Sequence, residues 1–194
     1  EVSALVVSGA TIYVGGRFWN IGGQTRKYIA ALNAASGLAT DWNPDAGYEV
    51  YTLAVSEDET TVYAGGRFSS IGGQSRNCIA ALDATTSLAT EWNPNASSSL
   101  GPNVWVNVLA LSGTTIYAGG VFTTIGGQPR NRLAALDTVT GLANPWNPAP
   151  SGFVETYHGI DALALSEKTV YVGSKFSSIA GLTRRGLAAF DITT

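Results

Sequence analysis

Apolar residues in this chain come in runs of four to six, rich in Val, Ile, Tyr and Phe, and turn residues bound every run. None reaches helical length, so the pattern predicts short β-strands. The runs recur in a fixed order. A lead (SALVVS, TLAVS, VLALS, ALALS) precedes TIYVGG, TVYAGG, TIYAGG or TVYVGS, and a Gly-rich loop ending in Arg then enters IAALN, IAALD, LAALD or LAAFD. A TxxxLATxWNP-like segment follows in the first three copies, and the chain stops at LAAFDITT in the fourth. Tyr13, Tyr63, Tyr117 and Tyr171 mark the period, with spacings of 50, 54 and 54 residues. The leads are apolar on both faces, as expected of strands held between neighbouring sheets.

Four short strands per unit of about 50 residues predict an all-β chain, a β-propeller of four-stranded antiparallel blades with four repeats present and the last incomplete. The blades fall at about 1–47, 48–97, 103–149 and 158–194 of a single repeat domain. An open β-solenoid is the alternative, although its units are usually shorter. Fifteen strands stand where four full blades need sixteen, so the expectation is a piece of a larger ring, with a ring of four blades second. The missing initiator Met points the same way.

The paired glycines followed some 25 residues later by Trp resemble the kelch type of blade. The fuller string YVGGxFxxIGGQxRxxIAALDxxTGxAxxWNP resembles the delta-60 family of bacterial surface-protein repeats over nearly the whole chain. That resemblance implies an exported, propeller-like bacterial protein and supplies no catalytic residues to carry over.

Composition removes several function classes. Charged residues are 13% of the chain against 45% apolar, with a net charge of −3, which excludes a disordered chain and leaves no basic footprint for nucleic acid. No apolar run approaches the ~20 residues of a spanning helix. There is no charged-then-apolar leader, so any signal peptide is expected to be removed or to lie outside this sequence. A single cysteine, Cys78, allows no internal disulfide; it occupies a slot held by Tyr28, Arg132 and Gly186 in the other copies.

Residues repeated in every copy read as architecture. Trp42, Trp92 and Trp146 are expected to close each blade against the next, and Pro44, Pro94 and Pro148 to stop the edge strand. Arg26, Arg76, Arg130 and Arg184 are expected to tie loop carbonyls; the competing reading is an arginine ring for carboxylates or sulfates. Asn33, Asp83, Asp137 and Asp191 start the turn after the third strand. Binding is instead expected where copies differ. The connectors DAGYEVY, NASSSLGPNVWVN and APSGFVETYHGI, with one unlike loop residue, offer Trp19, Tyr48, Glu49, Trp105, Phe153, Glu155, Tyr157 and His158 as ligand contacts.

The composite expectation is a non-catalytic binding, adhesion or scaffolding module, secreted or on a bacterial cell surface. Its partners would be a protein or glycan and further blades, in the intact chain or by self-association. A lectin-like domain using the loop aromatics is the alternative. A polysaccharide hydrolase or lyase ranks third, because near-identical blades offer few dissimilar residues for one catalytic centre. No cofactor is expected; the DxNxD spacing of Asp41, Asn43 and Asp45 is the one calcium-like pattern, and it decays in the other copies.

Overall fold

The computed structural model describes residues 1–153, 155 and 157–192; the last two residues of the fourth expected blade lie outside these. The chain divides into two compact units, Glu1–Asn95 and Ala96–Thr194. In the first, one repeat supplies β1 (Val2–Ser8), β2 (Thr11–Gly16), β3 (Asn20–Ile21), β4 (Gln24–Thr25) and β5 (Ile29–Asn33). The next supplies β6 (Val50–Val55), β7 (Thr61–Gly66), β8 (Ser70–Ile71), β9 (Gln74–Ser75) and β10 (Ile79–Asp83). The second unit repeats the set twice. Its elements are β11 (Trp105–Ser112), β12 (Thr115–Val121), β13 (Thr124–Ile125), β14 (Gln128–Pro129) and β15 (Leu133–Asp137), then β16 (Ile160–Ser166), β17 (Thr169–Ser174), β18 (Ser178–Ile179), β19 (Leu182–Thr183) and β20 (Leu187–Asp191).

Each repeat is a three-stranded antiparallel sheet, β1-β2-β5 in the first, with a two-residue hairpin (β3-β4) inserted between its second and third strands. The lead strand carries a register shift opposite the paired glycines, as at Val2/Ala4 and Val106/Val108. The four-stranded sheets expected from the sequence are not what forms. The WNP segment contributes one bridge to the third strand, Leu32↔Ala39, Leu82↔Ala89 or Leu136↔Ala143, and then leaves the sheet. The cause is local. Asn33 Oδ1 accepts from Ala35 N and Ser36 N, turning the chain back after β5, and Thr40 N donates to Ala31 O. Beyond that single pairing the Thr40 carbonyl is taken by Arg26 Nη2 at 2.7 Å, and Pro44 has no N–H to extend the ladder.

The core lies between successive repeats of a unit. In the first, Tyr13, Ile29 and Ala31 pack with Val50, Leu53 and Val62 of the next repeat. Trp42 is wedged at this seam, its ring 5.0 Å from Tyr13 and its indole Nε1 donating to Asp83 O at 3.0 Å. In the second unit Trp146 lies edge-on to Tyr117 at 5.3 Å and to Phe190 of the following repeat at 5.7 Å. The glycine pairs serve the same seam. A Cβ on Gly15 would stand 2.8 Å from Val50 Cγ1, and one on Gly119 would stand 2.7 Å from Ile160 Cγ2, so the β-branched residue of the next repeat needs glycine beneath it.

Candidate functional site

The repeated arginines bond backbone of their own repeats. Nη2 of Arg76 and Arg130 donate to Thr90 O and Asn144 O at 2.6 Å, as Arg26 does to Thr40 O, while Nη1 of each returns to the carbonyl of the preceding residue. Each guanidinium therefore fastens the hairpin loop to the departing WNP segment. Arg184, its equivalent in the fourth repeat, is exposed and makes a 3.4 Å contact to Thr183 O.

Unlike residues gather around one backbone feature common to all the repeats. The residue just before the third sheet strand has a left-handed backbone: φ is 64° at Tyr28, Cys78 and Arg132 and 79° at Gly186. The geometry is enforced by paired bonds, Tyr28 N to Phe18 O and Gly16 N to Tyr28 O in the first repeat, with equivalents at Cys78, Arg132 and Gly186. A side chain there costs about 1–2 kcal/mol relative to glycine's freedom. Residues held in such conformations cluster at binding and active sites.

In the first unit this slot presents Tyr28. Its ring lies 6.3 Å from Trp19 and 5.7 Å from Tyr48, and Arg67 places its guanidinium carbon 5.8 Å above the Tyr48 ring. Trp19 is 60% exposed and Tyr48 40%, a large apolar area to leave in water. The Trp19 and Tyr28 rings border an open recess of about 450 Å³ shared with Lys27, Asp45, Gly47 and Ser70. Lys27 Nζ pairs with Asp45 Oδ1 at 3.4 Å on its rim, and Gly47 N donates to Ser70 O to hold the connector down. Glu49 sits alongside, mostly buried, and is already engaged: Arg17 Nε is 3.3 Å from Oε1, and Tyr51 OH donates to Oε2 at 2.9 Å. Burial and that hydrogen bond push the Tyr51 phenol up to about 12. Glu49 therefore stiffens the connector through these two contacts.

In the second unit the slot presents Arg132, and the connector folds over it. Phe153 stacks 4.4 Å from the guanidinium carbon and 6.4 Å from Phe176, half-buried against the core. Arg132 Nε donates to His158 O at 2.8 Å and Nη1 to Asn131 Oδ1 at 2.9 Å; burial lowers its pKa. His158 Nε2 lies 3.4 Å from both Glu155 Oε2 and Lys175 Nζ, and among the described residues its buried Nδ1 has no hydrogen-bond partner. Tyr157 is exposed beside a slot of about 10 Å³, room for roughly one water. Trp105 is not a connector residue. It opens β11 opposite Val121, because the Trp-Val-Asn-Val alternation extends the lead strand backward.

Trp19 and Tyr48 are thus brought together in the first unit, and Phe153, Glu155, Tyr157 and His158 lie close in the second. Tyr28, Arg132, Lys27, Tyr51 and Arg67 escape a reading of the sequence. The available signal was Gly186: a glycine where the other copies carry side chains marks a left-handed position. At the calcium-like pattern Asp45 is paired with Lys27, and among the described residues no three His, Cys, Asp or Glu side chains converge on one point.

Comparison with known proteins agrees with the architecture. A family model described as "Domain of unknown function (DUF5122) beta-propeller" matches residues 11–37 and 115–138. A search among curated proteins finds no match. Among solved structures the chain is similar to a computationally designed protein at 15% identity and a TM-score of 0.58, covering 99% of this chain and 91% of that one. It is also similar to hydrazine synthase of Kuenenia stuttgartiensis (12% identity, TM-score 0.59, 99% of this chain and 46% of that one). The Pan2 WD40 domain of Neurospora crassa is a third, at 12% identity and a TM-score of 0.58, over 99% of this chain and 49% of that one. The chain spans about half the length of these last two. These likenesses concern fold: an all-β chain of the β-propeller type.

Proposed function

We propose that this chain is a non-catalytic binding module of an exported bacterial surface protein, built of delta-60-type, kelch-like repeats that act as propeller blades at 1–47, 48–97, 103–149 and 158–194. Its partners are a protein or glycan at the cell surface, and its blade array is completed by further repeats or by self-association. It uses no cofactor. A propeller fold supports a binding or scaffolding role in general, and one observation supports the location of the site: Trp19 and the half-buried Tyr28 border a recess on a strained, braced backbone, with the exposed Tyr48 ring against Tyr28. The ion-paired Glu49 and the Glu155–His158 contact are braces in this reading and not an acid–base pair, which sets the hydrolase or lyase reading aside.

A lectin-like role is the second reading, favoured by the pairing of apolar ring faces with the Lys27–Asp45 rim, since a pyranose presents an apolar face and a ring of hydroxyls. A glycan array on the intact chain separates the two. Binding that falls about tenfold or more in Trp19→Ala and Tyr48→Ala variants carries the lectin reading, given about 0.5–1.5 kcal/mol per aromatic contact beyond area burial. Silence across the array, with retained capture of a cell-surface protein that Trp19→Ala weakens, carries the protein-binding reading. Polysaccharide turnover by the intact chain that disappears in a Glu155→Gln or His158→Ala variant contradicts both.

A further inference from the structure

Just past its WNP, each of the three connectors is tied to the residue that precedes the left-handed slot, and the chemistry of the tie differs. Asn77 Nδ2 donates to Asn95 Oδ1 at 2.7 Å and Asn131 Nδ2 to Pro150 O at 2.6 Å, uncharged bonds in both cases. The first connector has an ion pair at the same place, Lys27 Nζ to Asp45 Oδ1 at 3.4 Å. Asp45, Asn95 and Ala149 share the left-handed backbone at this point, with φ of 50°, 51° and 41°. An amide pair serves the fold, and so does an amide bonded to a backbone carbonyl. An exposed ion pair adds little stability in water, so the charges at 27 and 45 need another reason.

They stand in a seam that also carries ring surface. Lys27 and Asp45 line the same recess as Trp19, Tyr28, Gly47 and Ser70, whereas Ser69 and the buried Cys78 are the second repeat's equivalents of Trp19 and Tyr28. Gly47 is unlike its counterparts too. It donates to Ser70 O as Ser97 does to Thr124 O and Ser151 to Ser178 O, but a Cβ on it would stand 2.6 Å from Ser70 Oγ. Glycine there leaves the Ser70 hydroxyl open to the recess. Lys27 spends one ammonium hydrogen on Asp45 Oδ1. Its other two, Asp45 Oδ2 and the Ser70 hydroxyl make no bond to a described residue.

An ammonium beside a carboxylate cancels in net charge yet sets strong donors next to a strong acceptor, and charge-assisted hydrogen bonds are roughly twice as strong as neutral ones. A vicinal pair of hydroxyls matches that arrangement, one donating to Asp45 Oδ2 while its neighbour accepts from Lys27, since a hydroxyl does either. A ligand carboxylate does not match, because Asp45 repels it. We propose that Lys27, Asp45 and Ser70 are the hydroxyl-reading half of a pyranose subsite, with the Trp19 and Tyr28 rings as its apolar half, and that its ligand is an uncharged sugar with vicinal hydroxyls. This rests on the lectin reading of the recess and adds to it the class of sugar and the residues that select it.

Affinities of the intact chain for neutral cello-, manno- and galacto-oligosaccharides and for uronate polymers test it, with thermal melts on the same preparations. The wild-type chain binds a neutral oligosaccharide and binds the uronate polymers more weakly. Lys27→Asn combined with Asp45→Ala gives the first connector the residues that stand at Asn131 and Ala149 of the third. Its melting midpoint stays at the wild-type value and its affinity falls about tenfold or more. Gly47→Ser, the residue of the other two connectors, also keeps the midpoint and weakens binding severalfold; it decides the question if the double variant fails to fold. Unchanged affinity in these variants while Trp19→Ala abolishes binding overturns the subsite and leaves the lectin reading standing. Tighter binding of the uronate polymers overturns the uncharged ligand and likewise leaves that reading standing. Silence towards every saccharide removes the lectin reading and this inference with it.

Discussion

The first unit holds two sets of aromatic residues with opposite fates. Tyr13 and Trp42 are buried at the seam between repeats, and the Trp42 side chain directs its one donor at the Asp83 carbonyl. Trp19 and Tyr48, a short distance away in sequence, stand exposed, Trp19 on the rim of a recess and Tyr48 against Tyr28 beside it. The buried pair recurs as Tyr63 with Trp92 and Tyr117 with Trp146, at ring separations of 5.2 and 5.3 Å, whereas Ser69, Thr123 and Ser177 replace Trp19 in the other copies. Repetition marks what the seam requires. Singularity marks what the seam does not require, and an exposed aromatic that nothing in the fold requires is a surface for something else.

The contrast breaks most visibly on mutation of the buried set. Trp42→Ala should cost about 3–5 kcal/mol, read as a lower urea midpoint, because it empties the seam and removes one of the two bonds to the Asp83 carbonyl, leaving that from Ser87 N. Arg76→Ala comes next, at about 1.5–3 kcal/mol for two charge-assisted bonds to Ser75 O and Thr90 O. Arg184→Ala, at the exposed equivalent with one long contact, should stay within about 0.5 kcal/mol. A loss at Arg184 as large as that at Arg76 would contradict the fastening role.

The left-handed slot sharpens the contrast further. Arg132→Gly relieves the backbone but gives up the Phe153 stack and the bond to the His158 carbonyl, so it should destabilise by about 1–2 kcal/mol. Tyr28→Gly relieves the same backbone while losing only partly exposed ring contacts, and stability should change by less than about 1 kcal/mol. Binding at the recess should nonetheless fall. Equal destabilisation of the two variants in parallel melts would show that the recess aromatics are packing.

The smallest effect is acid sensitivity. Hydrogen bonds from Thr86 and Thr85 hold the Asp83 carboxyl below the usual carboxylate range, and those from Thr140 and Val139 do the same for Asp137. A pKa lowered in the folded chain adds stability above the unfolded value of about 3.9 and loses it as pH falls through the folded value. Melting temperature should therefore drop below about pH 4. Asp83→Asn, which keeps the acceptor as Asn33 does in the first repeat, should flatten that drop.

Strand identity, repeat period and the structural weight of Trp42, Trp146 and the arginines could be read from the chain because each is a local pattern written several times. The fourth strand could not. The LATxWNP-like segment recurs in order, but the arginine that takes the Thr40 carbonyl is fourteen residues upstream, a pairing no local pattern reveals. Trp105 lies in a strand and not in the connector because the lead strand of its repeat starts earlier than those of the first two repeats relative to the paired glycines. Tyr28 and Arg132 were passed over because a backbone angle, and not a residue type, makes their position special. Glu49 looked free in sequence, and its partners Arg17 and Tyr51 come from either side of a connector that only the fold closes.

The central claim, that the unlike connector residues bind while the repeated ones build, is tested most directly by Trp19→Ser, which gives the first repeat the residue its second copy carries at Ser69. The urea midpoint and the affinity for the array glycan or captured surface protein bound best by the wild-type chain would be measured on the same preparation. The account predicts an unchanged midpoint and an affinity reduced about tenfold or more. An affinity that is unchanged, or that falls only in step with the midpoint, would contradict it.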